Sequence, residues 1–171
     1  MEVRVLSWAS VVGSCLLIAS LPAKATTFPL RVDPSGRSLV DAADVPFRIQ
    51  GDSAWDLAVQ LGPAEVEHYL EVRARQGFNT LLILFIELKR WVSSSKAPLT
   101  RDGIAPFSKA GDFSTPNDAY FQRVADVVER AGKHGFLVLG TPLYLGFVGR
   151  DEGWWNELNA EGNTRDRKSV V

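Results

Sequence analysis

The sequence predicts an α/β protein built on parallel strands, and three observations support this fold class. Apolar runs typical of buried strands alternate with helical patterns that are apolar on one side. The run over 81–86 is apolar without alternation, as a strand in a sheet covered by helices requires. No glycine-rich phosphate-binding motif follows the first predicted core strand. An N-terminal β-hairpin followed by three βα units of an incomplete TIM (β/α)8 barrel is therefore preferred over a dinucleotide-binding sheet.

The N-terminal hairpin comes first. Residues 30–32 and 38–40 lie on either side of Asp-Pro-Ser-Gly at 33–36, which is a strong turn sequence. A second turn follows over 41–46. Residues 47–51 then form the first predicted core strand.

Two amphipathic helices are predicted. The first begins at Pro63, where a missing N–H costs nothing, and ends before Gly77. The second has Thr115 as its N-cap and Pro116 at its first position, and it ends before Gly135. Their buried faces are predicted from spacings of three and four: Val66, Tyr69, Leu70 and Ala74, then Phe121, Val124, Val128 and Ala131.

Two more core strands and a last helix complete the predicted order. Residues 78–86 form the second strand; a buried helix segment is the alternative, but the short length and the preceding glycine favour a strand. Residues 136–139 form the third strand, and a further helix is predicted near 152–160. The polar connection over 88–114 is long for a compact domain, and such loops are usually functional or mobile.

The first 25 residues have the ordered parts of a secretory signal. Arg4 gives a short basic region, 5–21 is apolar, and Ala23-Lys24-Ala25 has the small-x-small form of a cleavage site. The alternatives are an uncleaved anchor and a wrongly assigned start codon, although the apolar stretch is short and interrupted for a membrane span. We expect cleavage after Ala25 and a secreted or periplasmic protein without membrane attachment.

Charge and cysteine content exclude several classes of partner. The formal net charge is −1, and removing 1–25 takes away one acidic and two basic residues and leaves −2. Nucleic acid or an anionic membrane would require a clustered basic surface, so neither partner is expected. The only cysteine, Cys15, lies in the signal, and the two histidines fall in predicted helices. No disulfide, metal site or cofactor is predicted.

Carboxylates and aromatic residues follow the predicted core strands. Asp52 and Trp55 follow the first strand, Glu87 the second and Tyr144 the third, with Lys89 and Trp91 close behind Glu87. In an α/β barrel these strand ends form the active site. Carboxylates accept hydrogen bonds from hydroxyl groups, and aromatic rings cover the apolar faces of sugar rings. The pattern therefore indicates a carbohydrate site.

Each candidate also has a structural alternative. Asp52 could cap the following helix or turn, and Glu87 could form a structural pair with Lys89 or with a neighbouring barrel residue. Trp55 and Trp91 could pack against loops. Packing is the preferred interpretation for Trp154 and Trp155, and a structural role for His68 and His134.

Several short stretches together resemble the apiosidase-like glycoside hydrolases, although each alone is modest. They span about 28–160 and are FPLRV at 28–32, GDSAW at 51–55, VEHYL at 66–70, RQGFN at 75–79, GDFSTPN at 111–117, YLG at 144–146 and DEGW at 151–154. The resemblance implies a (β/α)8 catalytic barrel that acts on plant-type oligo- or polysaccharide. It also implies substrate-side roles for Asp52, Trp55, Glu87, Lys89 and Tyr144.

The resemblance also implies where catalysis would occur. The catalytic carboxylates of the family are expected on later barrel strands, one of them near a Trp-x-x-Gly-Gly-Asp type motif that this sequence does not contain. After its second strand the family usually has Glu-His-Lys, whereas this sequence has Glu87-Leu88-Lys89. The departure removes an imidazole from that part of the site.

Length then predicts that the catalytic domain is partial. A whole barrel takes about 250 residues, whereas 146 residues follow the expected cleavage site. We expect 26–165 to be part of a catalytic domain that is inactive by itself. Residues 166–171 are expected to be a non-native tail, because a common sequencing adapter encodes those six residues; a genuine polar tail is the alternative. The competing hypotheses are a carbohydrate-binding protein without catalysis and a secreted structural or adhesion protein.

Overall fold

The computed structural model describes residues 26–88, 98–146 and 153–159. The predicted signal peptide over 1–25 and the predicted tail over 166–171 lie outside these residues, as does part of the loop predicted over 88–114. None of the helices in the described ranges has the length and apolar character needed to cross a membrane.

A small antiparallel sheet comes first in the chain. Its strands are β1 (Arg31–Val32), β2 (Leu39–Val40) and β3 (Pro46–Phe47), in the order β1-β2-β3. β1 and β2 form the predicted hairpin, with Arg31 opposite Val40. The hairpin is therefore confirmed, and it carries a third strand that the sequence did not predict.

The prediction of a first core strand over 47–51 is wrong in its bounds. Phe47 pairs with Leu39 in the antiparallel sheet. The chain returns to this sheet because the carboxylate of Asp41 accepts hydrogen bonds from the backbone N–H groups of Ala43 and Val45, each at 2.9 Å. This Asx-type turn folds 41–45 tightly and brings Phe47 back beside β2.

A parallel sheet forms the centre of the chain. Its strands are β4 (Gly51–Ser53), β5 (Thr80–Leu84) and β6 (Leu137–Thr141), in the order β4-β5-β6. Both pairings are parallel. The predicted α/β class with parallel strands is confirmed.

Four helices accompany the parallel sheet in the described residues: α1 (Leu57–Gln60), α2 (Pro63–Arg75), α3 (Asp118–Lys133) and α4 (Trp155–Asn159). α2 begins at Pro63 and is followed by Gly77 with a φ of +86°, both as predicted. α1 was not predicted, because a single turn leaves too little periodicity to detect.

The predicted start of the second long helix is wrong by two residues. Asn117 is the N-cap of α3, and its side-chain oxygen accepts a hydrogen bond from the N–H of Ala119 at 3.2 Å. Pro116 instead forms an antiparallel bridge with Phe107, which keeps the backbone extended there. The buried face is correct at Val124 and Ala131 and otherwise shifts by one residue, to Tyr120 and Val127.

The core lies between the helices and one face of the parallel sheet. Leu81 and Ile83 of β5 are fully buried with Leu70 of α2 in the same apolar cluster. Because side chains alternate along a strand, Leu82 points to the other face, with its parallel partner Leu139. Leu139 is 44% exposed.

Candidate functional site

The carboxyl ends of the three parallel strands meet at one edge of the sheet. The N–H of Leu84 donates to the carbonyl of Trp55, and the N–H of Phe85 donates to the carbonyl of Thr141, each at 2.9 Å. These bonds hold the segments that follow the strands side by side. In open α/β sheets and barrels ligands bind at this edge.

Two predicted site residues come together there. The ring centroids of Trp55 and Tyr144 lie 6.5 Å apart, with 40° between the ring planes. Both side chains are half-buried. We call Trp55 and Tyr144 the aromatic pair; it offers a surface that can cover the apolar face of a sugar ring.

Glu87 lies beneath this edge rather than on its surface. The residue is only 1% exposed. The side-chain amide of Gln60 donates to its carboxylate, with Nε2 3.2 Å from both oxygens. Burial raises the pKa of Glu87 to about 7; the Gln60 bond lowers it and the charge of Asp56 raises it. This carboxyl group can hold or release a proton near neutral pH.

The backbone of Glu87 is also held from two sides. Its N–H donates to the hydroxyl of Tyr120 at 3.2 Å, and its carbonyl accepts from the indole N–H of Trp154 at 2.9 Å. Tyr120 belongs to α3, whereas Trp154 directly precedes α4. The end of β5 is therefore joined to two elements that are distant in the sequence.

Asp52 is placed apart from the aromatic pair. It lies in the middle of β4, opposite Leu81, and its side chain contacts α2. Its carboxylate accepts a hydrogen bond from the Tyr69 hydroxyl at 2.6 Å and lies 2.5 Å from Nε of Arg73. Arg73 also stacks over the rings of Tyr69 and Phe78. The carboxylate thus faces the helices, where it joins strand and helix.

The other candidates divide into residues that the structure describes and residues that it does not. Lys89 and Trp91 lie outside the described residues. Trp154 is 3% exposed and packs edge-on against Phe107, as the packing interpretation expects. His134 lies at the end of α3, with Nε2 2.6 Å from a carboxylate oxygen of Glu67 on α2. This contact joins two helices, in keeping with the predicted structural role.

Sequence reasoning missed three polar residues around Glu87: Asp56, Gln60 and Tyr120. Gln60 could have been identified from the sequence, because it ends the apolar run 57–59. When such a run is buried, the polar side chain at its end must find a hydrogen-bond partner. Within the described ranges, no cluster of three His, Cys, Asp or Glu side chains could hold a metal ion.

A family comparison covers most of the sequence. The sequence model of the apiosidase-like catalytic domain matches residues 33–169. Among the curated proteins, none matches the sequence.

Solved structures share the fold. One described as a glycoside hydrolase is 22% identical, with a TM-score of 0.54 over 66% of this chain and 24% of its own length. A crystal structure of a glycoside hydrolase family 5 protein from Bacteroides vulgatus is 20% identical, with a TM-score of 0.52 over 64% of this chain and 23% of its own length. This chain thus spans about a quarter of either structure, and at these identities the likeness concerns the fold alone.

Proposed function

This chain belongs to the apiosidase-like catalytic-domain family, and from that premise we propose that it forms part of a glycoside hydrolase that acts on plant-type polysaccharide. The proposal concerns a whole (β/α)8 catalytic barrel, because the chain spans about a quarter of the similar solved structures. β4, β5 and β6 would be its first three barrel strands, and the described edge would contribute the substrate side of the active site.

The aromatic pair carries the proposal. Trp55 and Tyr144 follow different strands, yet their rings lie 6.5 Å apart at the edge where barrel enzymes bind substrate. A pyranose or furanose ring has an apolar C–H face, and stacking on an aromatic ring removes that face from water.

Catalysis would require more carboxylates than the described part of this edge supplies. Glycosidases usually act through two carboxyl groups, about 5–5.5 Å apart when configuration is retained and about 6.5–9.5 Å apart when it is inverted. Glu87 has a pKa near 7 but is buried against Gln60. We therefore assign substrate binding to this edge and place the acid and its partner on later strands of the barrel.

Sugar binding by the 171-residue protein tests the proposal. Oligosaccharides released from pectin are titrated by calorimetry into the wild type and into the Trp55→Ala and Tyr144→Ala variants. Each variant should bind about tenfold more weakly or worse, because it loses one stacking ring. The matched control is Phe28→Ala, which removes an aromatic ring that is 41% exposed near the N-terminal sheet. Unchanged affinity in both aromatic-pair variants would refute the assignment.

A carbohydrate-binding protein without catalysis is the second candidate, and the same aromatic pair would serve it. Release of reducing sugar from the same oligosaccharides by the full-length gene product would exclude this candidate. Binding without release would favour it.

We also propose secretion through a signal over 1–25. Expression in a bacterial host, followed by N-terminal sequencing of periplasmic protein, should give Thr26 as the first residue. Recovery of uncleaved chain from the membrane fraction would favour the anchor.

A further inference from the structure

The segment 153–155 lies against the loop that carries Tyr144. The N–H of Trp154 donates to the carbonyl of Tyr144 at 3.0 Å, and the N–H of Trp155 donates to the carbonyl of Leu145 at 3.2 Å. Two successive backbone bonds thus fix the conformation of the loop after β6, from which the Tyr144 ring projects.

Gly153 permits this approach. A Cβ atom added at residue 153 would overlap the backbone nitrogen of Gly146 and the carbonyl carbon of Leu145. Since these are backbone atoms, they cannot move aside as the end of a side chain can. Only glycine allows the two segments to pack at this distance.

Trp154 anchors the same segment to the rest of the edge. Its indole N–H donates to the carbonyl of Glu87 at 2.9 Å, so it is tied to the end of β5. Its ring centroid lies 5.7 Å from that of Phe107 and 6.0 Å from that of Phe113, both in the segment between β5 and α3. One buried side chain therefore joins the segments that follow β5 and β6.

We infer that Gly153 and Trp154 are positioning residues that hold Tyr144 against Trp55, a role that rests on the proposed function. Neither residue is required to touch the sugar. They fix the backbone from which one ring of the aromatic pair projects, so their substitution should weaken sugar binding through Tyr144 alone.

Amide hydrogen exchange tests the contact without any sugar. Gly153→Ala should lose protection at the N–H groups of Trp154 and Trp155, whereas the amides of β5 and α3 should keep theirs. The matched control is Gly132→Ala, because an added Cβ at Gly132 meets nothing within 4 Å. Unchanged protection at Trp154 and Trp155 in Gly153→Ala would overturn the inference.

A double-mutant cycle tests the consequence for binding. Gly153→Ala should weaken affinity for pectin-derived oligosaccharides roughly tenfold, and this loss should vanish when Tyr144 is already Ala. Additive losses would overturn the inference. If Tyr144→Ala alone has no effect, the proposed function fails, and the exchange experiment still decides whether Gly153 fixes the loop.

A second variant covers the case in which Gly153→Ala does not fold. Trp154→Phe keeps an aromatic ring beside Phe107 and Phe113 but removes the donor to the Glu87 carbonyl. It should give the same non-additive loss with Tyr144→Ala. Full affinity in Trp154→Phe would show that the indole bond does not position the loop.

Discussion

The side-chain amide of Gln60 lies 3.2 Å from both carboxylate oxygens of Glu87. One residue comes from the last position of α1 and the other from just beyond β5. The contact supplies a hydrogen-bond partner to a carboxyl group that is 1% exposed. Burial nevertheless dominates, since the pKa of Glu87 is raised from 4.5 to about 7.

Glu87→Gln should therefore flatten the dependence of stability on pH. A carboxyl group with a raised pKa in the folded state contributes stability below its unfolded pKa, and that contribution is lost as the pH rises from about 4.5 to about 7. The wild type should lose up to about 3 kcal/mol over this range through this group. Urea unfolding of both proteins at pH 4.5 and pH 8 gives the change in free energy of unfolding between the two pH values. An equal change in the wild type and in Glu87→Gln would contradict the assignment.

Arg123→Met should destabilise the fold. The guanidinium group donates to the carbonyl oxygens of Ala58 and Leu61 at 2.7 Å each and to Asp102 at 2.6 Å, and it is 17% exposed. Loss of these bonds leaves two partly buried carbonyl groups without this donor and should cost about 1–3 kcal/mol in free energy of unfolding. The control is Arg75→Ala, because Arg75 is 67% exposed and 3.9 Å from its partner Glu71.

For that control the expected change is below about 0.5 kcal/mol. Thermal or urea unfolding measures both variants. Equal effects of the two substitutions would mean that Arg123 does not act as a donor to these carbonyl groups.

Asp41→Asn should make the stability of the N-terminal sheet less dependent on pH in the acid range. The carboxylate accepts hydrogen bonds from the hydroxyl of Thr27 at 2.7 Å and from the N–H groups of Ala43 and Val45 at 2.9 Å. These bonds, the Thr27 hydroxyl foremost, lower its pKa from 3.8 to about 2. The stabilisation is present above the unfolded value and is lost as the pH falls toward 2.

Hydrogen exchange of β2 and β3 between pH 4 and pH 2 can measure this loss after correction for the intrinsic exchange rate. In the wild type the corrected protection should fall over this interval. In Asp41→Asn the corrected protection should already be lower at pH 4 and should stay nearly constant down to pH 2.

Two glycines should respond to alanine in opposite directions. Gly132 lies within α3 with open space where a Cβ would be, so Gly132→Ala should stabilise the protein by roughly 0.5–1 kcal/mol. Gly135 has a φ of +80°, where a Cβ is strained, so Gly135→Ala should destabilise by about 1–2 kcal/mol. Melting temperatures of the two variants give the comparison, and stabilisation by Gly135→Ala would contradict the helix end described above.

The sequence was most informative where a local residue type decides the structure. Pro63 and Gly77 bound α2 because proline suits the first helical position and glycine the left-handed position after the last turn. The unbroken apolar run predicted β5 and its burial. These features depend on residues close in sequence, which a linear pattern records.

Asp52 illustrates the limit of such patterns. The sequence predicted a first core strand that ends at Gly51, which would place Asp52 just beyond the strand, at the site edge. The strand instead runs from Gly51 to Ser53, so Asp52 is central and directed toward α2. Because side chains alternate along a strand, a shift of a strand by one residue changes which face a carboxylate occupies.

The sequence alone thus determined the α/β class, α2, β5 and the family. Only the tertiary structure decided that Trp55 and Tyr144 pair, that Glu87 is buried against Gln60, and that 153–155 fixes the loop after β6. The reason is physical: propensity and periodicity are local properties, whereas these contacts join residues about 10 to 90 positions apart and depend on how the whole sheet and its helices pack.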